Sequence, residues 1–250
     1  MDAALGILIL GAVVAGFVQG LSGFAFSLVA LSFWAWGVEP ALAATLAILG
    51  GLAGQITAAI RVRRGFDWRL LAPFLVGGVI GVPLGVAVLP MLDVPLFKAL
   101  LGGFLVTWCP AILFATRLPR VPDVGRVADS GIGLVGGILG GIVGSAGAIP
   151  TLWVTLRQLE RDHARAVVQN FNLVILALSG TALVAAGRVT REMLPTLGIV
   201  IVAMLVPALI GMRVYIGLSE IAFRRVVLTC LTASGLALLA SSLPTLLARA

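Results

Sequence analysis

Along this chain, apolar runs of about 20 residues alternate with short clusters of charge. Uncharged stretches extend from Ala41 to Ile60, Leu70 to Met91, Ala99 to Thr116, Ser130 to Leu156, Ala166 to Gly187, Leu194 to Met212 and Val226 to Ala248. Each is long enough for a membrane-spanning helix of roughly 20 residues. A first apolar segment, Ala3 to Val38, would extend roughly 54 Å as one straight helix at about 1.5 Å per residue, against a hydrocarbon core of about 30 Å. It must therefore break. The break is placed at Gln19-Gly20-Leu21-Ser22-Gly23, where glycine tolerates the backbone angles of a tight reversal. This segment lacks a basic N-terminal stretch and is expected to be mature structure, not a signal peptide.

The break occurs twice. Gly16, Gly20 and Gly23 in GFVQGLSGF return as Gly137, Gly141 and Gly144 in GILGGIVGS, 121 residues later, placing a second break over Gly140 to Gly147. A membrane chain that carries the same helix break in both halves reads as a transporter.

Composition fixes the class: 60% of residues are apolar, 11% are charged and the mean hydropathy is +1.16, as in integral membrane proteins. The net charge of +7 would suggest nucleic acid in a soluble chain, but the basic residues fall in short connections between spans. Membrane topology accounts for them, and no nucleic-acid partner is expected. Lys98 is the only lysine among 17 basic residues, which hints at a GC-rich bacterial genome. Cys109 and Cys230 stand singly in apolar runs and are expected to be buried, inert thiols, with no disulfide or metal site.

Charge distribution distinguishes two topologies. If each broken segment crosses once, the better orientation places ten Lys/Arg inside and seven outside. If each is a re-entrant hairpin and the N-terminus is outside, the loops Arg61 to Arg69, Arg117 to Arg126, Arg157 to Arg165 and Arg213 to Arg225 lie inside. The count becomes thirteen inside and four outside, which obeys the positive-inside rule far better.

The expected fold is thus an all-α polytopic membrane protein of two inverted-topology repeats, each a re-entrant or broken helical hairpin plus three transmembrane helices. The first repeat covers 1–116 (hairpin 3–38; spans 41–60, 70–91 and 97–116), a cytoplasmic linker 117–126, and the second 127–250 (hairpin 127–156; spans 164–187, 194–214 and 221–248). Further pairings support the duplication: Glu39 with Glu160, Pro73 with Pro195, and Leu96-Phe97-Lys98 with Ala222-Phe223-Arg224.

Two tips entering from opposite faces would meet near the midplane, where irregular backbone survives only inside protein or beside a water-filled cavity. A short helix beginning near Gly23, and another near Ser145, would point unpaired N–H groups and the positive dipole end into that cavity, favouring anions. The candidate substrate-binding residues are Gln19, Gly20, Ser22, Gly23 and Phe24 in the first tip and Gly141, Gly144, Ser145 and Gly147 in the second. Gln55, Gln169 and Asn172 on the following helices complete the set. The competing reading is that small and polar residues here serve close packing and interhelical hydrogen bonds. No ionisable residue sits centrally in any span, so anion binding would rest on dipoles and neutral donors. Glu39 and Glu160 are expected to be interfacial or capping residues, with gating or proton coupling as the other reading. His163 is expected to be a solvated loop residue, and Trp34 and Trp36 to belong to an interfacial belt. The spans hold no nucleophile with a base and no ligand cluster, so no catalytic residue, cofactor or metal is expected.

The hairpins GFVQGLSGFAFSLVAL and GGILGGIVGSAGAIPTL, within two four-segment halves, resemble the TauE/SafE sulfite exporter family of bacterial membrane transporters. The resemblance covers essentially the whole chain. It implies transport of a sulfur-containing anion such as sulfite, thiosulfate or an organosulfonate across the bacterial inner membrane, by alternating access between the tips. It leaves open a channel of the same architecture, a non-sulfur organic anion, the oligomeric state and a proton as coupling ion. The first hairpin departs from the family by carrying Phe24-Ala25-Phe26 in place of its usual glycine cluster, which would narrow that side of the cavity. Ser22 and Ser145 are expected to donate to the anion.

Overall fold

The computed structural model describes residues 2–61, 65–115, 121–122, 124–214 and 220–249. Arg63, Arg64, Arg117 and Arg120 of the charge count, and part of the expected 117–126 linker, lie outside the described residues.

Among the described residues the chain forms ten α-helices: α1 (Asp2–Ser22), α2 (Phe26–Trp34), α3 (Pro40–Arg61), α4 (Trp68–Val88), α5 (Val94–Phe114), α6 (Arg126–Val143), α7 (Ala148–Leu156), α8 (Arg161–Ala185), α9 (Leu194–Val214) and α10 (Glu220–Leu247). All except α2 and α7 are long and apolar enough to cross a membrane. The outward faces are apolar too, with Val76, Ile80 and Leu84 on α4 and Val202, Val206 and Ile210 on α9 exposed, as lipid contact requires. The molecule is an all-α polytopic membrane protein.

Several carboxylates serve as helix caps. Glu39 accepts from the Ala41 and Leu42 amides at 3.0 and 2.9 Å, Asp67 from Arg69 and Leu70 at 3.0 and 3.3 Å, and Asp93 from Leu96 at 2.9 Å. Glu160 makes no such bond; its carboxylate lies 3.3 Å from His163 Nδ1. His163 itself lies in the first turn of α8, not in a loop, though it is solvated as expected.

Glycine ladders set the packing. In a lipid phase with no hydrophobic drive between helices, association depends on close backbone approach, which small residues allow. Gly77, Gly81 and Gly85 of α4 face Gly133, Gly137 and Gly141 of α6, and a methyl group at any of the six would strike backbone of the other helix. The increasing numbers on both sides show that α4 and α6 run parallel. Gly16 and Gly20 of α1 lie in the same way against Met204 and Ala208 of α9, and Gly211 of α9 against Phe17. Gly102 and Gly235 join α5 to α10.

These pairings map onto themselves when the halves are exchanged: α1 packs on α9 and α6 on α4, α2 meets α10 and α7 meets α5, while α3 meets α8. The triplets Leu96-Phe97-Lys98 and Ala222-Phe223-Arg224 both occupy the third to fifth positions of their helices, α5 and α10. Pro73 and Pro195 are less well matched, at the sixth position of α4 and the second of α9.

Two expectations are corrected by packing. Trp34 is fully buried and belongs to no interfacial belt, because α2 folds back onto α1; Trp36 is exposed and carries Lys98 Nζ 4.9 Å above its ring centre. Cys230 is exposed, on the side of α10 that borders a groove with α1 and α2, whereas Cys109 is buried.

Candidate functional site

Each broken segment folds back on itself. The Trp34 indole N–H donates to the Leu8 carbonyl at 3.1 Å, and a methyl at Gly37 would sit 3.0 Å from Ile7 Cδ1, so α2 returns the chain to the level near which α1 began. From that level to Ser22 is about 22 Å of helix. In the second half Trp153 Nε1 donates to Asp129 Oδ1 at 2.7 Å, and Arg157 Nη1 donates to both Asp129 oxygens at 2.8 and 3.0 Å. The end of α7 is thereby bound to the first turn of α6.

Both reversals turn on a left-handed glycine, Gly23 at φ 84° and Gly144 at φ 71°, a conformation that side-chain-bearing residues seldom adopt. The first tip is capped from within. Ser22 Oγ donates to the Val18 carbonyl at 2.8 Å and accepts from the Phe24 and Ala25 amides at 3.4 and 3.3 Å, while Gln19 Oε1 accepts from the Phe26 amide at 3.0 Å. Gln55 Nε2 on α3 donates to the Gly23 carbonyl at 2.6 Å. In the second tip the Ser145 amide donates back to the Leu139 carbonyl at 3.3 Å, and Asn172 Oδ1 on α8 accepts from the Gly147 amide at 3.1 Å. Each hairpin tip is thus held by an amide side chain from the next long helix of its own half.

The tips touch. Ser27 Oγ lies 2.9 Å from the Gly144 carbonyl and 3.1 Å from the Ala47 carbonyl, and its one proton serves these two acceptors. Phe24 meets Trp108 of α5 edge to face at 6.4 Å, and the Trp108 indole donates to the Ala148 carbonyl at 2.9 Å, so an aromatic bridge also joins the tips. Phe26 is buried against Trp34, at 6.1 Å between ring centres, and beneath Gly50.

Two buried side-chain polar atoms lack a partner among the described residues, Ser179 Oγ on α8 and one atom at the first tip. Gln19 Nε2 is buried without a hydrogen-bond partner, although its own Oε1 is engaged. An amide N–H left unsatisfied in a dry site costs about 1–3 kcal/mol. Gln169 Nε2 lies near the same tip, where a methyl at Gly23 would be 3.1 Å away.

Of the sequence-predicted residues, Gln19, Ser22, Gly23, Phe24, Gln55 and Gln169 gather at the first tip, and Gly144, Ser145, Gly147 and Asn172 at the second. Gly20 and Gly141 do not join them: both face helix backbone in the seams, against Ala208 and Met212 and against Val82 and Val86. Ser22 also departs from expectation, since its proton is committed to its own helix. Sequence reading missed Ser27 and Trp108, which carry no motif and acquire importance only through contacts across the halves. It also missed the Asp129–Arg157 pair, although opposite charges flanking the second hairpin were a visible signal.

The described residues bring together neutral donors and no acidic or basic side chain at the tips, an arrangement suited to a small anion. The family model "Sulfite exporter TauE/SafE" matches residues 8–238, from within α1 to within α10, and so takes in both hairpin tips. No curated protein and no solved structure gives a match. Covering nearly the whole chain, the match establishes that this membrane protein belongs to the TauE/SafE sulfite exporter family.

Proposed function

We propose that the chain is a secondary transporter that moves a small sulfur-containing anion, such as sulfite, thiosulfate or an organosulfonate, across a bacterial inner membrane. The observation that carries this reading is the meeting of two glycine-hinged tips, the first of which holds an orphaned neutral donor, Gln19 Nε2, beside Gly54 of α3. An oxyanion offers only acceptors, so it can take that N–H with no proton exchanged. In the described state the tip amides are satisfied by Gln19, Ser22 and Asn172. An arriving anion would replace these neutral acceptors with charged oxygens, and charge-assisted hydrogen bonds are roughly twice as strong as neutral ones. Desolvation is the opposing cost, and the two short-helix dipoles reduce it.

With hairpins entering from opposite faces, movement of one hairpin would open the site to one side and movement of the other to the opposite side. Opening each requires breaking the Ser27–Gly144 bond and the Phe24–Trp108 contact. A membrane-spanning inverted repeat supplies this symmetry of gates.

The test is sulfite and thiosulfate flux into proteoliposomes, with and without an imposed proton gradient, against empty liposomes and against Gln19→Leu and Ser145→Leu. Saturable flux showing counter-exchange and lost in both variants is expected; acceleration by the gradient would identify the proton as the coupling ion. Normal flux in both variants, with the proteins folded, would place the substrate elsewhere.

A further inference from the structure

A cavity of about 370 Å³ opens between the first turns of α4 and α6, remote from the tips and lined by Trp68, Arg69, Ala72, Pro73, Val76, Arg126 and Ser130. Its composition divides along α4. Arg69 and Arg126 line it from the first turns of their helices, and neither guanidinium has an ion-pair partner among the described residues. Ala72, Pro73 and Val76 form the apolar part, and Val76 lies about 10 Å further along α4 than Arg69. The mouth is flanked by an exposed aromatic pair, Phe66 stacked on Trp68 at 5.9 Å, in the position where amphipathic rings settle at headgroup level. The carboxylate nearest Arg69 in sequence, Asp67, turns its Oδ1 to the Arg69 and Leu70 amides, and Asp129, three residues after Arg126, is paired with Arg157.

Two unpaired guanidiniums above an apolar cleft match an amphiphile with an anionic phosphate head and an acyl chain. We propose that this cavity binds an anionic phospholipid, its phosphate between Arg69 and Arg126 and the start of an acyl chain along Ala72, Pro73 and Val76. The parallel packing of α4 and α6 through their glycine ladder brings the two arginines to the same end of the molecule, so the site depends on the seam. This is also the end with Arg157 and Arg165, the basic end that the positive-inside rule assigns to the leaflet facing the cytoplasm. A lipid there would bridge the first helix of the second half and the third long helix of the first half, tying the halves together on one face.

The experiment measures binding of phosphatidylglycerol, phosphatidylcholine and inorganic phosphate to the purified full chain in neutral detergent, by native mass spectrometry and by shift of the unfolding midpoint. Wild type is compared with Arg69→Gln, Arg126→Gln and the double variant. At about 1 kcal/mol per basic residue near a lipid phosphate, the double variant should bind phosphatidylglycerol roughly thirtyfold more weakly, and each single variant about fivefold. Phosphatidylcholine should bind no better to wild type than to the double variant, and inorganic phosphate should give no shift. Equal phosphatidylglycerol affinity in wild type and double variant would overturn the proposal. An arginine-dependent shift with inorganic phosphate alone, as large as that with lipid, would overturn the lipid assignment in favour of a small-anion site. Both arginines are surface residues distant from the tips, so monodisperse elution and unchanged sulfite flux serve as the folding control.

Discussion

Asp129 and Leu8 lie 121 residues apart, at the equivalent point of the two hairpins, yet the hairpins close by different chemistry. In the first, the Trp34 indole finds a backbone carbonyl, and the surroundings are apolar. In the second, the Trp153 indole and the Arg157 guanidinium converge on a carboxylate, with both charged side chains over nine-tenths buried. Removing one member of such a pair strands the other charge, which typically costs about 3–5 kcal/mol, whereas replacing both by apolar groups is often neutral. Asp129→Leu alone should therefore lower the unfolding midpoint in detergent strongly. Asp129→Leu with Arg157→Met, copying the apolar first hairpin, should recover most of the loss, short of the Trp153 bond. Additive destabilisation in the double variant would show the ion pair to be incidental. At the opposite end of the molecule Asp93 is exposed and held by hydrogen bonds. The Leu96 amide, and secondarily Arg249, hold its carboxyl below the ordinary 3.8. Because the folded value is the lower one, this stabilisation is complete above the unfolded value and is lost as pH falls through the folded value. Arg249→Ala should flatten the loss of stability in an unfolding titration from pH 6 to pH 3, without abolishing it, since the Leu96 bond persists.

Among the elements, the paired helices α4 and α6 show what the repeated glycines do. The spacing Gly77, Gly81, Gly85 against Gly133, Gly137, Gly141 places a bare Cα at every fourth position on both sides of one parallel seam, so neither backbone can retreat from an added side chain. Gly137→Val should prevent assembly of monodisperse protein in detergent, because overpacking of even a yielding core costs about 1–3 kcal/mol and this contact is backbone to backbone. Gly103→Val and Gly198→Val, where a methyl meets nothing within 4 Å, should elute and unfold like wild type. Equal behaviour of all three would remove the seam from the account of folding. The same residues show how far sequence could be read. The glycine motif revealed two broken helices and their positions, since a chain segment too long for the bilayer has to turn where glycine permits. It could not separate hinge from seam: Gly23 and Gly144 carry positive φ, while Gly16, Gly20, Gly137 and Gly141 remain helical, and only tertiary contacts distinguish them. The tip amides Gln55 and Asn172 were legible as polar residues in apolar helices, whereas Ser27 was one serine among many in a membrane helix. Pro83 and Pro207, deep in α4 and α9, form a better matched pair than Pro73 and Pro195.

At the scale of the whole molecule, the return of α2 to Ile7 and of α7 to Asp129 favours hairpins over single crossings, and the two alternatives assign the loops to different faces. With hairpins, Gly37 and Thr190 share one face of the membrane, and Gly65 and Glu160 share the other. With single crossings, Gly37 shares a face with Glu160, and Gly65 with Thr190. All four positions are exposed in the structure, so each can carry a reporter thiol. Single cysteines placed there, in a chain with Cys109 and Cys230 replaced by serine, can be probed with a membrane-impermeant maleimide in right-side-out and inverted vesicles. Labelling of G37C and T190C from outside, and of G65C and E160C only in inverted vesicles, is the expected pattern. It places thirteen of 17 basic residues on the inner face, which the positive-inside rule favours. Pairing of G37C with E160C would instead mean that each broken segment crosses the membrane. The tips could not then enter from opposite faces, and the two-gate mechanism would lose its structural basis even if sulfite flux were measured.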